Sequence, residues 1–311
     1  MIHIHNGDVV ATLAKRAGIP GEHFAFRESF VSGPLPPRAD LEARARHLAE
    51  SHGENLLRVR TDLLEQEAAL TRAAAEEEVV LWFEHDLYCL AHFLYMLDRF
   101  ANVKRLTAIW SANPLAHEPE EEIHLMFDSR AAVTPSMLAI GREAWRAFTA
   151  PDATALNSFL AFDRADFPFL RDGLRLHASR FPSLRNGLGA IENKLLGLIA
   201  PGAIDFATLF PLVDPEPPRF GFGDGEVMRI LWRLANRPVP LITITEAEEG
   251  AVPPKALFNL TPAAANVING VVDDVAINEP DQWLGGAHLT RENLWRWDET
   301  RKLLVRNRSA G

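Results

Sequence analysis

VVLWFEHDLYCLAHFLYML, residues 79–97, is the most apolar stretch of the chain, and the triplet Glu84-His85-Asp86 sits in its middle. Residues 79–83 are apolar without alternation, the pattern of a strand buried on both faces. After the triplet, Leu87, Leu90, Ala91, Leu94 and Leu97 recur at helical spacing and mark the stripe that packs on that strand. Glu84, His85 and Asp86 therefore occupy a strand-to-helix turn. Such a turn lies at the carboxyl end of its strand, the edge at which open α/β sheets bind ligands.

Outward from the triplet, residues 1–134 alternate short apolar runs with helical patterns. Strands are expected at 2–5, 23–27 and 106–110 besides 79–83, with a helix at 9–17 ended by Gly18. Between the second and third strands lies a long helical region carrying Leu41, Leu48, Leu56, Leu57, Leu63 and Leu64, broken at Gly53. Strands alternating with helices pair in parallel through right-handed crossovers, so this segment reads as an open, Rossmann-like α/β sheet. Residues 135–185 read as a helical connector, with Trp145, Phe148, Leu156, Phe159 and Leu160 as core candidates and Phe167-Pro168 as a break.

Residues 186–311 read as a winged-helix-like α+β domain. Helical patterns at 190–200 and 226–235 precede strands at 241–245 and 256–260, joined by EAEEGAVPPK, and Thr261 begins a further helix. The segment WLGGAHLTRENLWRWDET reads as a terminal β-hairpin turning at TREN, with Trp295 and Trp297 alternating about Arg296.

Composition bounds the partners. The 311 residues carry a formal charge of -10, which disfavours nonspecific binding to nucleic acid or to an anionic membrane. Cys89 is the single cysteine, so no intrachain disulfide, cysteine-rich zinc site or Cys-x-x-Cys pair can form. The start MIHIHNGD lacks a basic region followed by an apolar core, and no run approaches the roughly 18–20 apolar residues of a membrane span. A cytoplasmic setting is the expectation. The acidic clusters at 76–78 and 120–122 read as solvated loops or helix ends.

The turn after the first strand is Asn6-Gly7-Asp8, and that after the second is Arg27-Glu28-Ser29, so three segments deliver polar groups to one edge. Asp8 and Asp86 each precede a helical pattern and suit an N-cap. Glu84 and His85 have no capping task, and burying them unpaired is costly, so they are expected to be paired or to face a cleft. Arg27 is their natural partner. A dinucleotide loop is absent, since HNGDVVA supplies only Gly7. A hard cation on Asp8, Glu84 and Asp86, a metal on His3 and His5, and Ser29 as a nucleophile with His85 as base all lack a supporting spacing. No metal or cofactor is assigned. The least demanding chemistry is acid–base work by Glu84 and His85, with Arg27 holding an anionic group and Asp8 and Asp86 as orienting or metal-binding groups.

The segments HNGD, FRESFVSGP, LWFEHDLY, FPSLRNGLGAIENKLL, FGDG and DQWLGGAHL, with the later WRWD, resemble the bacterial family called domain of unknown function 1835 with its usual carboxy-terminal partner domain. The resemblance spans nearly the whole chain. It implies that Asn6, Gly7, Asp8, Arg27, Glu28, Gly33, Pro34, Glu84, His85, Asp86 and Arg130 match the family pattern. The chain departs from that pattern at Cys89-Leu90, where the family carries a polar Asp-Gln pair.

Two functional expectations follow. One is an enzyme acting on a small polar or anionic metabolite at the sheet edge. The other is a ligand-responsive regulatory or protein-interaction module using the winged helix. Arg229, Arg233 and Arg237 share a helix face, which favours contact with DNA, whereas Glu246, Glu248 and Glu249 outnumber Lys255 in the wing and oppose it. The winged element is expected to pack on the α/β domain or to form a dimer contact, and the aromatic segment 283–297 to cover the site, close the core or meet a second subunit.

Overall fold

The computed structural model describes residues 1–35, 40–246 and 256–307. Its first part runs β1 (Ile2–Asn6), α1 (Asp8–Arg16), β2 (Glu22–Phe26), α2 (Leu41–His52), α3 (Leu56–Ala73), β3 (Val79–Glu84), α4 (Leu87–Arg99) and β4 (Leu106–Ser111). A short 3-10 turn leads to α5 (Glu120–Asp128) and β5 (Ala131–Ala132). The sheet order is β2-β1-β3-β4-β5, with the first four strands parallel and β5 antiparallel at the edge. The connection from β1 runs to β2 on one side, and the α2–α3 pair then crosses back to β3 on the other. The crevice between the carboxyl ends of β1 and β3 is thus the topological switch point.

The chemistry of the 79–97 stretch explains this arrangement. Val79, Leu81 and Phe83 join one hydrophobic cluster and Val80 and Trp82 another, so β3 is covered on both faces. Helix α4 is buried beyond its expected stripe, with Cys89, His92, Phe93 and Met96 also enclosed. The cause is the connector, whose helices α6 (Pro135–Phe148), α7 (Asn157–Leu160) and α8 (Leu170–Ser179) include two that pack on α4. Gly53 ends α2 in the left-handed conformation, where a glycine carries no steric penalty.

The remaining elements are α9 (Ala190–Ile199), β6 (Ile204–Asp205), α10 (Phe206–Val213), α11 (Asp224–Ala235), β7 (Ile242–Glu246), β8 (Ala256–Leu260), α12 (Pro262–Ile268) and α13 (Asp274–Ile277). Helix, strand, two helices and two strands, with a three-stranded sheet in the order β6-β8-β7, form a winged-helix arrangement. The expected wing residues Glu248, Glu249 and Lys255 lie outside the described residues.

Four short strands close the chain: β9 (Gln282–Leu284), β10 (Ala287–Leu289), β11 (Trp295–Asp298) and β12 (Leu303–Arg306). The expected single hairpin is corrected to two. β9 pairs with β10 across Gly285-Gly286, and β11 pairs with β12, so TREN links two hairpins instead of turning one. Gly285 has a φ of 62°, the left-handed value that a tight two-residue turn needs. Trp295 and Trp297 are buried in the largest hydrophobic cluster, which draws residues from all three segments of the chain. No described helix is long and apolar enough to cross a membrane.

Candidate functional site

At the switch point, the β1 turn meets the first turn of α4. The Asn6 amide donates to Cys89 Sγ at 2.7 Å, and Asp86 caps α4 by accepting the Cys89 amide at 2.7 Å. Asp86 is 4% exposed, and burial pushes its carboxyl up to about 7 against the opposing pull of that amide. The loop before α11 lies over it. Leu87 and Tyr88 donate their backbone amides to the carbonyls of Arg219 and Phe220 at 2.9 and 3.1 Å, and a Cβ on Gly221 would collide with the Asp86 carboxylate. The amino end of α4 is therefore closed by the winged-helix segment, leaving none of these donors for a phosphate.

Asp8 is not a cap. Gly7 holds that position, and Asp8, the first helical residue, accepts Arg27 Nε at 2.6 Å and a terminal nitrogen at 2.5 Å. This pairing, in which both side chains are about three-fifths exposed, holds the Asp8 carboxyl below its ordinary range. It also corrects the expected grouping of Arg27 with Glu84 and His85, because the adjacent β1 turn offers Arg27 a nearer carboxylate.

Glu84 and His85 face the β4 side instead. Glu84 accepts the Leu115 amide at 2.8 Å, and burial raises its pKa. The His85 ring stacks on Phe169 at 5.3 Å and lies 4.7 Å from Trp110, and burial lowers its pKa. Its Nε2 is enclosed with no hydrogen-bond partner among the described residues. Arg130 sits at the opposite, amino edge of the sheet. It clamps Glu78 through bonds of 2.9 and 3.2 Å and lies over the Phe127 ring, so it is not brought to the carboxyl edge.

Glu28 is a structural anchor. It is buried against Arg44 and accepts the Ser29 amide at 2.8 Å, while its carbonyl receives Tyr88 Oη at 2.6 Å and is 2.8 Å from His92 Nε2. These bonds fix the FRESFVSG loop, residues 26–33, against α4 and α2. Ser29 then donates its hydroxyl to Glu226 Oε1 at 2.8 Å, and Ser32 Oγ accepts Arg229 at 2.9 Å. Helix α11, the counterpart of a DNA-reading helix, is thereby docked on its own α/β domain.

Between this loop, α9, α11 and the β9 hairpin lies a cavity of about 250 Å³. Gly33, whose φ is 73°, stands at its wall, where a Cβ would collide with the His47 ring. Arg180, Arg229 and Arg233 supply the basic wall, Glu192, Glu226 and, at the exposed rim, Asp281 the acidic groups, and Phe222, Ile230, Trp283 and Leu284 an apolar side. Glu192 accepts Arg233 at 2.7 Å and Arg237 at 2.8 Å, and Arg237 also pairs with Asp274. The arginines expected to favour DNA are therefore engaged within the molecule, Arg233 and Arg237 with carboxylates from α9 and α13 and Arg229 with Glu226 of its own helix and Ser32. Glu226 also borders a second, larger groove along the carboxyl edge, lined by Gly7, Arg27, Ser29 and Tyr88.

His47, Arg180, Glu192, Glu226 and Trp283 were not singled out from the sequence. A glutamate inside the apolar helical pattern AIENKLL was the available signal, because a carboxylate on a buried face needs a cation.

Among the described residues two groups have metal-ligand composition: His3, His5 and His23, and Glu84, Asp86 and Cys89. The histidine rings lie within 18°, 11° and 19° of parallel, so their in-plane lone pairs do not converge on one centre. Hydrogen bonds also occupy most of their ring nitrogens, and burial lowers the pKa of all three. The Trp82 indole donates to His3 Nδ1, His3 Nε2 donates to the Pro20 carbonyl, and His23 Nε2 donates to the Ile19 carbonyl. His5 Nε2 and His23 Nδ1 share a hydrogen bond of 2.9 Å. In the second group Asp86 is committed to the α4 cap and Cys89 holds its proton, its pKa raised by burial. Asp8, expected beside Glu84 and Asp86 for a hard cation, is taken by Arg27.

No protein-family model matches the chain, and the comparison with curated proteins yields no match.

Proposed function

We propose that this chain is an enzyme acting by acid–base chemistry on a small polar or anionic metabolite, bound where the carboxyl edge of the sheet meets α11. The observation that carries this reading is Glu226. Its carboxylate accepts the Ser29 hydroxyl, lies 3.5 Å from the Arg229 guanidinium, and borders both the arginine-lined cavity and the carboxyl-edge groove. A carboxylate held beside a hydroxyl and a cation, with space on two sides, is placed to exchange a proton with a bound molecule. Glu84 and His85 border neither of these two spaces, so the proton-exchanging role moves from them to Glu226.

The sequence motifs support the same place. FRESFVSGP contributes Ser32 and Gly33 to the cavity, the GLGAIEN segment Gly189 and Glu192, FGDG contributes Phe222, and DQWLGG contributes Gln282 and Trp283. Segments far apart in the chain thus line one cavity, and we extend the proposal to kinship with domain of unknown function 1835. The experiment is to incubate a bacterial metabolite extract with wild-type protein and with Glu226→Gln, following compounds by mass spectrometry. Wild type is expected to consume at least one metabolite that the variant leaves untouched. Equal consumption by both, or by neither, contradicts the enzymatic reading.

A second reading is favoured by the origin of the walls, which come from both the α/β domain and the winged-helix segment. A ligand there bridges the two and strengthens their docking, the behaviour of a sensor. Binding in the cavity without any turnover favours it.

A further inference from the structure

Four guanidinium groups gather in and behind one wall of the cavity, and their partners are unevenly shared. Glu192 serves both Arg233 and Arg237, Asp274 serves Arg237, and Glu226 lies 3.5 Å from Arg229. Arg180 has neutral contacts only: it donates to the Val31 carbonyl at 2.5 Å, approaches His177 Nδ1 at 3.5 Å, and lies over the Phe222 ring at 5.1 Å. Among the described residues no carboxylate stands within ion-pairing distance of it. Burial, reinforced by Arg233, pulls its pKa down to about 9. A guanidinium enclosed without a carboxylate partner beside an open space is costly to bury and is relieved by an anion.

We propose that this cavity seats a phosphate monoester, its phosphoryl group on Arg180, Arg229 and Arg233 and its remainder against Phe222, Ile230 and Trp283. The proposal rests on the site assigned above and names its ligand class. A carboxylate offers two oxygens and one charge, whereas a phosphoryl group offers three terminal oxygens and about -1.5 to -2 charges, the better match for three guanidinium forks. The size agrees, because about 250 Å³ lies near the lower end of ligand pockets and suits a small metabolite. The adjoining helix end does not compete for the anion, since the Glu192 carboxylate already accepts the Gly189 amide at 2.7 Å.

The test is calorimetric titration of the intact chain at low salt with inorganic phosphate, glycerol 3-phosphate, glycerol and acetate, using wild type, Arg180→Met, Arg229→Gln and Glu226→Gln. Wild type is expected to bind both phosphate probes and to prefer glycerol 3-phosphate over acetate by at least roughly tenfold, about 1.4 kcal/mol. Arg180→Met and Arg229→Gln are each expected to weaken that binding at least about tenfold. Circular dichroism checks folding, and if Arg180→Met fails to fold, the more accessible Arg229→Gln decides. Glu226→Gln is expected to keep or tighten phosphate binding, because it removes a negative charge and no anchor. Absence of phosphate binding by wild type, acetate binding as tight as phosphate, or undiminished binding in the arginine variants overturns the proposal. Arginine-dependent phosphate binding without Glu226-dependent turnover leaves the seat standing and removes the acid–base reading alone.

Discussion

Asp86→Asn is expected to stabilise the protein, and more strongly as the pH rises. The carboxyl is 4% exposed, and its pKa rises from 3.8 to about 7, chiefly by burial. A carboxyl with a raised folded-state pKa binds its proton more tightly in the native state than in the unfolded chain. The resulting penalty is absent below the unfolded pKa, grows as the pH rises, and is complete above the folded value. At 1.36 kcal/mol per pH unit it amounts to roughly 2 kcal/mol near pH 5.5 and about 4 kcal/mol near pH 8.5, as ceilings. Asparagine retains an acceptor for the Cys89 amide and so keeps the cap of α4. Urea unfolding followed by tryptophan fluorescence at both pH values measures the difference, since Trp82 is fully buried in the same sheet. The variant is expected to gain about 2 kcal/mol more at the higher pH. An equal effect at both pH values, or a loss at the higher one, refutes the claim that Asp86 ionises against a penalty beneath the Arg219–Gly223 loop.

Two further substitutions separate structural charges from exposed ones. Glu192→Gln leaves Arg233 and Arg237 without their shared, 7%-exposed carboxylate and is expected to lower stability by roughly 3–5 kcal/mol, read from the urea midpoint. Arg27→Ala removes a pair whose side chains are 62% and 61% exposed, so a loss below about 1 kcal/mol is expected in the same assay. A large loss there places Arg27 in the structural framework.

The parallel strands were legible because their apolar runs are short and bounded by turn residues, and Asp86 was legible as a cap because its position before α4 is a local property. The winged-helix order was readable for the same reason. Partner choice was not local. Arg237 finds Asp274 and Arg233 finds Glu192 across long separations of sequence, so arginines that look free in one dimension are paired in three. Arg27 illustrates the converse, since Asp8 intercepts it before Glu84 is reached. β5 holds two exposed alanines, too little for any periodicity to register. The Gly285-Gly286 turn did leave a signal, because paired glycines favour a two-residue hairpin over TREN.

The most direct measurement is a crystal structure of the chain grown with glycerol 3-phosphate. The expected result is phosphoryl density bonded to Arg180, Arg229 and Arg233, with the glycerol moiety reaching toward Glu226. Ligand density elsewhere on the molecule, with this cavity holding solvent alone, contradicts the assignment of the site.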